Sequence, residues 1–174
     1  MLERVLEEYG ETIAARWVEL VFGTYPEESR RFLSAEGDAF ANPVGRTVRD
    51  ASGALVGALA AGRVDERARA AIGELMRIRS VQDLTVAEAV GAVPLLRRAV
   101  LDVVRDGLDP AAERELAARV EGLTLAACEA FVFSRERLWE ARMAERDRHR
   151  ASLIARAERV LAGRAPAAVR ADGS

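Results

Sequence analysis

The chain has 174 residues and a mass of 18.9 kDa, enough for one domain with a core and too little for two ordinary ones. Half of it is apolar but only 5% is aromatic, so the apolar material is mostly Ala, Leu and Val, a helix-forming composition. All 26 basic residues are Arg, with one His and one Cys, which excludes a Schiff base, a complete phosphate-binding loop, a lysine general base and an internal disulfide, and thins the list of enzymes. Residues 1–134 hold 16 Arg against 22 acids and residues 135–170 hold 10 against 5, so the net charge of −2 conceals an acidic body and a basic end. No apolar run reaches the roughly 18 residues a bilayer span needs, and the start is acidic and amphipathic where a secretory signal is cationic and then apolar. A cytoplasmic location is the expectation.

In chain order, Leu2, Val5, Leu6, Tyr9, Ile13, Trp17, Leu20 and Val21 recur at steps of three and four and predict a helix from Leu2 to Phe22. Pro26 with Glu27 and Glu28 reads as the first turn of a short helix through about Leu33. Asn42 before Pro43 is a cap followed by the position that needs no donor, so a helix is predicted from Pro43 to about Ala61. Its glycines, Gly45, Gly53 and Gly57, mark either the close approach of another helix or the drift of a Gly- and Ala-rich composition.

Asp65 predicts the cap of a helix reaching about Val81, with Ala68, Ile72, Leu75, Met76 and Ile78 inward. Thr85 and Glu88 form a capping box, and the helix they open is predicted to reach Arg105 with a kink near Val90 to Ala92, because Pro94 removes one backbone bond. Asp109 and Pro110 repeat the cap-then-proline start of a last helix running to about Gly163. At 1.5 Å per residue its some fifty residues make roughly 75–80 Å, beyond the diameter of so small a domain, so its second half is expected to project from the body. Leu116, Val120, Leu123, Ala127, Ala130, Phe131, Leu138 and Met143 supply its buried stripe, and Leu153, Ile154, Val160 and Leu161 a thinner one that suits a partner helix. The last residues, 165–174, are expected to be disordered. No segment alternates with period two, so the fold class is all-α, with about six helices.

Few side chains suggest chemistry. His149 is either a metal or haem ligand or a solvated surface residue among Arg146, Arg148 and Arg150; Cys128 is a small core residue or a nucleophile. The arginines of 135–150 are interleaved with Glu136, Glu140, Glu145 and Asp147 at intrahelical pairing distances, without aromatic interleaving, which argues against nucleic acid. Arg77, Arg79, Gln82 and Asp83 gather at a helix junction, where Arg79 and Asp83, four apart, either pair or cap it. Trp139, beside Arg135 and Arg142, is an interface anchor or a core residue.

Phe40-Ala41-Asn42-Pro43-Val44-Gly45 with Thr47, then Ile78-Arg79-Ser80-Val81-Gln82-Asp83, and Ser134-Arg135-Glu136-Arg137-Leu138 with Trp139 and Arg142 form an ordered set of motifs. With Trp17 and Tyr25-Pro26-Glu27-Glu28 they resemble the N-terminal domain of RsbT co-antagonist proteins, the RsbRD-type domain of stressosome regulators, over about residues 2–150. The resemblance implies a globin-like helical sensor, typically without haem, that dimerises and relays a signal through its last helix. It divides the chain into a sensor domain over 1–150, a helical extension over 151–164 and a tail over 165–174. In full-length relatives that helix leads to a STAS domain with phosphorylated threonines; no Thr follows position 150 here, so no phosphosite carries over and a stand-alone sensor or adaptor is expected.

The function expected is therefore regulatory and not enzymatic, with no cofactor: a homodimer joined through Arg135, Leu138, Trp139, Arg142, Met143, Leu153 and Ile154 that also meets another regulatory protein, and neither nucleic acid nor a membrane. The motif positions are Asn42, Pro43, Gly45, Thr47, Arg79, Gln82 and Asp83. The alternative is a globin-like sensor that binds a lipid or a haem-like ligand.

Overall fold

The computed structural model describes residues 1–34, 42–82, 84–104 and 107–163, and every regular element among them is a helix. The elements are α1 (Leu2–Glu8), α2 (Gly10–Gly23), α3 (Glu27–Ser34), α4 (Pro43–Ala61), α5 (Glu66–Ser80), α6 (Val86–Val90), α7 (Leu95–Val103) and α8 (Pro110–Gly163). The six predicted helices are all present, and two of them are divided, which makes eight among the described residues. The first bends at Tyr9, where the amide of Tyr9 still bonds the Val5 carbonyl and the amide of Ile13 the Tyr9 carbonyl, so the helical bonding continues through the bend. The other division, between α6 and α7, matters more and is taken up below.

The chain resolves into two compact units, Met1–Arg135 and Glu136–Ser174. In the first, α2 packs on α4 and α7, and α4 on α5. One apolar core joins Leu2, Ile13, Trp17, Leu55, Ile72, Leu96, Leu116 and Leu123, contributed by α1, α2, α4, α5, α7 and α8. The start signals act as predicted: the Asp65 carboxylate accepts from the Ala68 amide at 2.8 Å and that of Asp109 from the Ala112 amide at 2.7 Å. In the capping box of α6 the Glu88 carboxylate accepts from the Thr85 amide at 2.8 Å, while the Thr85 hydroxyl accepts from the Glu88 amide at 3.2 Å. The Thr85 amide, with the Thr85 hydroxyl donating to the same carboxylate at 2.8 Å, holds the Glu88 carboxyl below its usual range.

The buried stripe of α8 runs through Leu116, Val120, Leu123, Ala127 and Phe131. Ala130, Leu138 and Met143, expected to belong to it, are only half-buried. The second unit, from Glu136, is described as helix as far as Gly163. No helix among the described residues is long and apolar enough to cross a membrane. Asp83, Phe40, Ala41, Gly37 and Arg105, and the tail over 165–174, lie outside the described residues.

Candidate functional site

The motif residues build two polar nodes in the first unit, and both exist because helix ends leave backbone groups without partners. At the start of α4, Asn42 is 6% exposed and serves two helices at once. Its side-chain oxygen accepts from the Gly45 amide at 2.8 Å, which caps α4, and its amide nitrogen donates to the Phe32 and Leu33 carbonyls at 3.1 and 2.9 Å, which closes α3. A second donor, Arg49, reaches the Leu33 carbonyl at 2.8 Å. Pro43, which has no amide to satisfy, takes the first helical position.

Gly45 completes this node. A Cβ there would stand 2.5 Å from the Asn42 amide nitrogen and 2.7 Å from the Leu33 carbonyl oxygen, so no side chain fits. The close approach of another helix expected at the glycines of α4 is thus real at Gly45, where the neighbours are the Asn42 cap and the Leu33 carbonyl in the last turn of α3. Gly53 and Gly57 meet nothing within 4 Å. Thr47, half-buried, lines a shallow groove with Arg46, Asp50, Glu74 and Arg77, where Arg46 pairs with Asp50 and Arg77 with Glu74.

The second node lies where α6 gives way to α7. Pro94 has no amide, and the amides that a continuous helix would send to the carbonyls of residues 88, 89 and 92 do not arrive: that of Val93 turns to Val90 and that of Leu96 to Val93, at 3.0 Å each. The kink expected there is a full break, ending α6 at Val90 and restarting at Leu95. Gly91 is required at the turn, since a Cβ would come within 2.5 Å of the Ala87 carbonyl oxygen.

Side chains from elsewhere take the released carbonyls. Arg79, at the end of α5 and 2% exposed, donates to the Ala89 carbonyl at 3.0 Å and to the Glu88 carbonyl at 2.9 Å. Trp17, fully buried on α2, donates its indole N–H to the Ala92 carbonyl at 2.8 Å. The third arm of the guanidinium donates at 2.7 Å to the hydroxyl of Tyr25, whose proton goes to Gln82 at 3.0 Å, and the Arg79 guanidinium lies 5.4 Å from the centre of the Tyr25 ring. Burial raises the Tyr25 phenol above its ordinary value despite the nearby cation, and burial lowers the Arg79 guanidinium, which nonetheless stays charged at neutral pH.

Of the junction cluster, Arg79 and Gln82 therefore meet through Tyr25, and Arg77 stands apart on the surface. The proposed pairing of Arg79 with Asp83 involves a residue outside the described ones; the hydrogen bonds Arg79 makes go to a phenol and two carbonyls. Tyr25 was not assigned to the cluster because it is 54 residues away from Arg79 in sequence, and carbonyl acceptors carry no residue-type signal at all. The same applies to Arg119, on α8, which donates to the Leu59 and Ala60 carbonyls at the end of α4 and pairs with Glu115 and Glu3. Arg135, the last residue of the first unit, reaches the Ser80 carbonyl at 3.4 Å, next in sequence to Arg79.

In the second unit the expected interface residues are accessible. Trp139 is 65% exposed, Leu153 54%, and Ile154, Val160 and Leu161 are exposed too, while Arg142 is exposed and Leu138 and Met143 are half-buried. His149 is exposed and Cys128, in the first unit, half-buried. Among the described residues no three His, Cys, Asp or Glu side chains gather in a way that could hold a metal ion.

The two nodes are built from Asn42, Pro43 and Gly45 and from Trp17, Tyr25, Arg79 and Gln82, the residues of the sequence motifs. The model of the RsbT co-antagonist protein rsbRD N-terminal domain matches residues 11–146. The chain belongs to that family. It is a family of stressosome-related sensor domains, so a regulatory role follows for the domain as a class. No curated protein and no solved structure matches the chain. In this chain Asn42 serves the ends of α3 and α4, and Arg79 and Trp17 serve the break between α6 and α7, each with its polar atoms bonded inside the first unit.

Proposed function

We propose that the chain is a non-enzymatic signal-input module that works as a cytoplasmic homodimer, joined through the last helix and offering a surface to a second regulatory protein. One observation carries the reading: five large apolar side chains in the second unit, Trp139, Leu153, Ile154, Val160 and Leu161, are all at least half exposed. Large apolar groups grouped in this way on a short segment mark an interaction surface. Arg135, Arg142, Leu138 and Met143 complete the proposed interface. The motif nodes support the regulatory reading in a different way, because their polar atoms serve the backbone and are not gathered at an open cleft as general acids, bases or nucleophiles are.

Signalling in such a module requires a partner or ligand that binds two helix arrangements unequally, since only differential affinity shifts a population. Size-exclusion chromatography with light scattering tests the proposal. A mass of twice 18.9 kDa at micromolar concentration is expected for the wild type, with a shift toward the monomer in a Trp139→Ala, Leu153→Ala double variant. A strict monomer throughout that range overturns it.

A further inference from the structure

Among the described motif positions Thr47 is the one that neither node uses, and the groove it lines has an unexpected arrangement of charge. The connection at residues 62–65 turns α5 back along α4, so the start of α4 lies beside the end of α5. The groove between them, of about 390 Å³, runs from Pro43 and Ile78 to Ala51 and Ala71. Arg46 and Arg77 therefore stand toward one end, and Asp50 and Glu74 about one turn further along. Like charge is set beside like across the groove. Among the described residues no ion pair crosses it: Arg46 pairs with Asp50 on its own helix at 3.3 Å, and Arg77 with Glu74 on its own at 2.6 Å. An arrangement that served to hold α4 to α5 would set arginine against carboxylate, so the packing of the two helices does not account for this one.

We infer that the groove binds a small zwitterion, with its carboxylate between Arg46 and Arg77 and its ammonium between Asp50 and Glu74. The four side chains sum to zero charge. A lone anion would meet two carboxylates and a lone cation two guanidiniums, whereas a dipolar molecule laid along the groove is matched at both ends. Donors remain for it. Arg46 commits its Nε and Arg77 its Nε and Nη2, which leaves both terminal nitrogens of Arg46 and the Nη1 of Arg77 without a bond among the described residues. On the acidic side Oδ1 of Asp50 is likewise free, and the Thr47 hydroxyl on the α4 wall makes no hydrogen bond to a described residue. Ala51, buried, and Ala71 give methylene groups between the charged ends an apolar floor. Those ends lie about 4.5–6 Å apart along the helices, three to four residues at 1.5 Å each, a separation that suits a γ-amino acid and exceeds that of an α-amino acid.

The basic end of the groove is placed to be read by the last helix. The Ser80 hydroxyl donates to the Arg77 carbonyl at 2.7 Å, and Arg135 on α8 reaches the Ser80 carbonyl at 3.4 Å. A ligand that draws on Arg77 is thus one residue away from the contact between α5 and the base of α8. The site lies wholly in the first unit and goes beyond the homodimer proposed above, to which it adds a chemical class of input.

An NMR titration of the isotope-labelled full chain tests the site, with γ-aminobutyrate, glycine, butyrate and butylammonium as probes. Saturable shifts of the amides of Arg46, Thr47, Asp50, Glu74 and Arg77 are expected with γ-aminobutyrate. All four charged side chains are more than half exposed, so a dissociation constant on the order of 1 mM is expected. Glycine, too short to reach both ends, and the two singly charged probes are each expected to bind at least about tenfold more weakly. Equal binding of butyrate or butylammonium, shifts that map outside α4 and α5, or no saturation up to about 50 mM overturns the inference.

Side-chain substitution gives the second readout. Arg77→Gln and Asp50→Asn, each checked for an unchanged thermal midpoint, are expected to weaken γ-aminobutyrate roughly tenfold. Unchanged binding in both folded variants contradicts the placement of the ligand between these groups. The dimer is read separately from the mass, so the groove can fail while the dimer stands, and the reverse.

Discussion

The two halves of α8 are both helix-forming in composition, and their apolar residues are placed differently. In the first unit Leu116, Val120, Leu123, Ala127 and Phe131 are buried in a shared core, and Arg119 on the same stretch spends its donors on the end of α4. In the second, Trp139, Leu153 and Val160 are exposed, and the ion pair Arg148 makes is with a residue three positions away. Helix propensity cannot produce this contrast, since both stretches are rich in Ala, Arg, Glu and Leu. Tertiary partners produce it: one face of the first half is buried against the other helices of its unit, although Leu125, Val132 and Phe133 on that half stay exposed, while the large apolar side chains Trp139, Leu153, Ile154, Val160 and Leu161 of the second half are all exposed.

The largest test of that contrast sets two leucines of the same helix against each other. Leu116 is 0% exposed, and Leu116→Ala is expected to cost about 3 kcal/mol of unfolding free energy through lost burial and the cavity left behind. Leu153→Ala, measured by urea unfolding at a concentration that keeps the chain monomeric, is expected to change stability by no more than about 0.5 kcal/mol. A comparable loss at both sites would mean that the second half is held by the fold after all.

Arg79→Met comes next, at about 2–3 kcal/mol in the same assay, because three acceptors lose their donor in a site closed to water. Arg79→Lys is expected to recover only part of the loss, since an ammonium lacks the fork that reaches two carbonyls and a phenol together. This substitution also separates the motif's structural role from a surface role: an Arg79 needed only for binding a partner would leave unfolding unchanged.

Helix starts were legible in the sequence because caps are local. Asn42-Pro43, Asp65, Thr85 with Glu88, and Asp109-Pro110 each declare themselves within four residues, and each forms the bond its spacing requires. The breaks were less legible. Pro94 announced a disturbance, but its size depended on Trp17 and Arg79 arriving to take the released carbonyls, and such long-range donors leave no trace in local spacing. The Arg79 node was half visible for the same reason, with Gln82 near in sequence and Tyr25 remote. In the second unit the apolar row was visible as a pattern, yet only the structure distinguishes Leu138 and Met143, half-buried, from the stripe that ends at Phe131.

Tyr25→Phe probes the same node more gently. Removal of the hydroxyl leaves one arm of Arg79 and the Gln82 carbonyl group without their bond, for a loss of about 1 kcal/mol at neutral pH. The pH profile carries more information. The folded phenol titrates above its ordinary value of 10.0, so the fold binds that proton more tightly than the unfolded chain. The stability this contributes is fully present below pH 10 and is lost as pH rises through the folded value. The wild type is therefore expected to lose stability above pH 10 more steeply than Tyr25→Phe, and parallel alkaline limbs would show that Tyr25 does not titrate in the node.

The smallest expected effect has the opposite sign, and it comes from α4, where one glycine is required and two are not. Gly53 and Gly57 face outward with open space around them, so Gly53→Ala and Gly57→Ala should each stabilise the protein by about 0.5–1 kcal/mol, the ordinary gain of alanine over glycine in an exposed helix interior. Gly45→Ala, chemically the same change two turns earlier, should destabilise, because the added carbon would meet both the cap of α4 and the carbonyl at the end of α3. Thermal unfolding of the three single variants reads the difference directly. A gain at Gly45 would show that the Asn42 side chain can leave its place without loss, and the node would then be an accident of packing. A loss at Gly53 or Gly57, where the first unit offers nothing for the added carbon to meet, would point instead to a surface that a second molecule occupies.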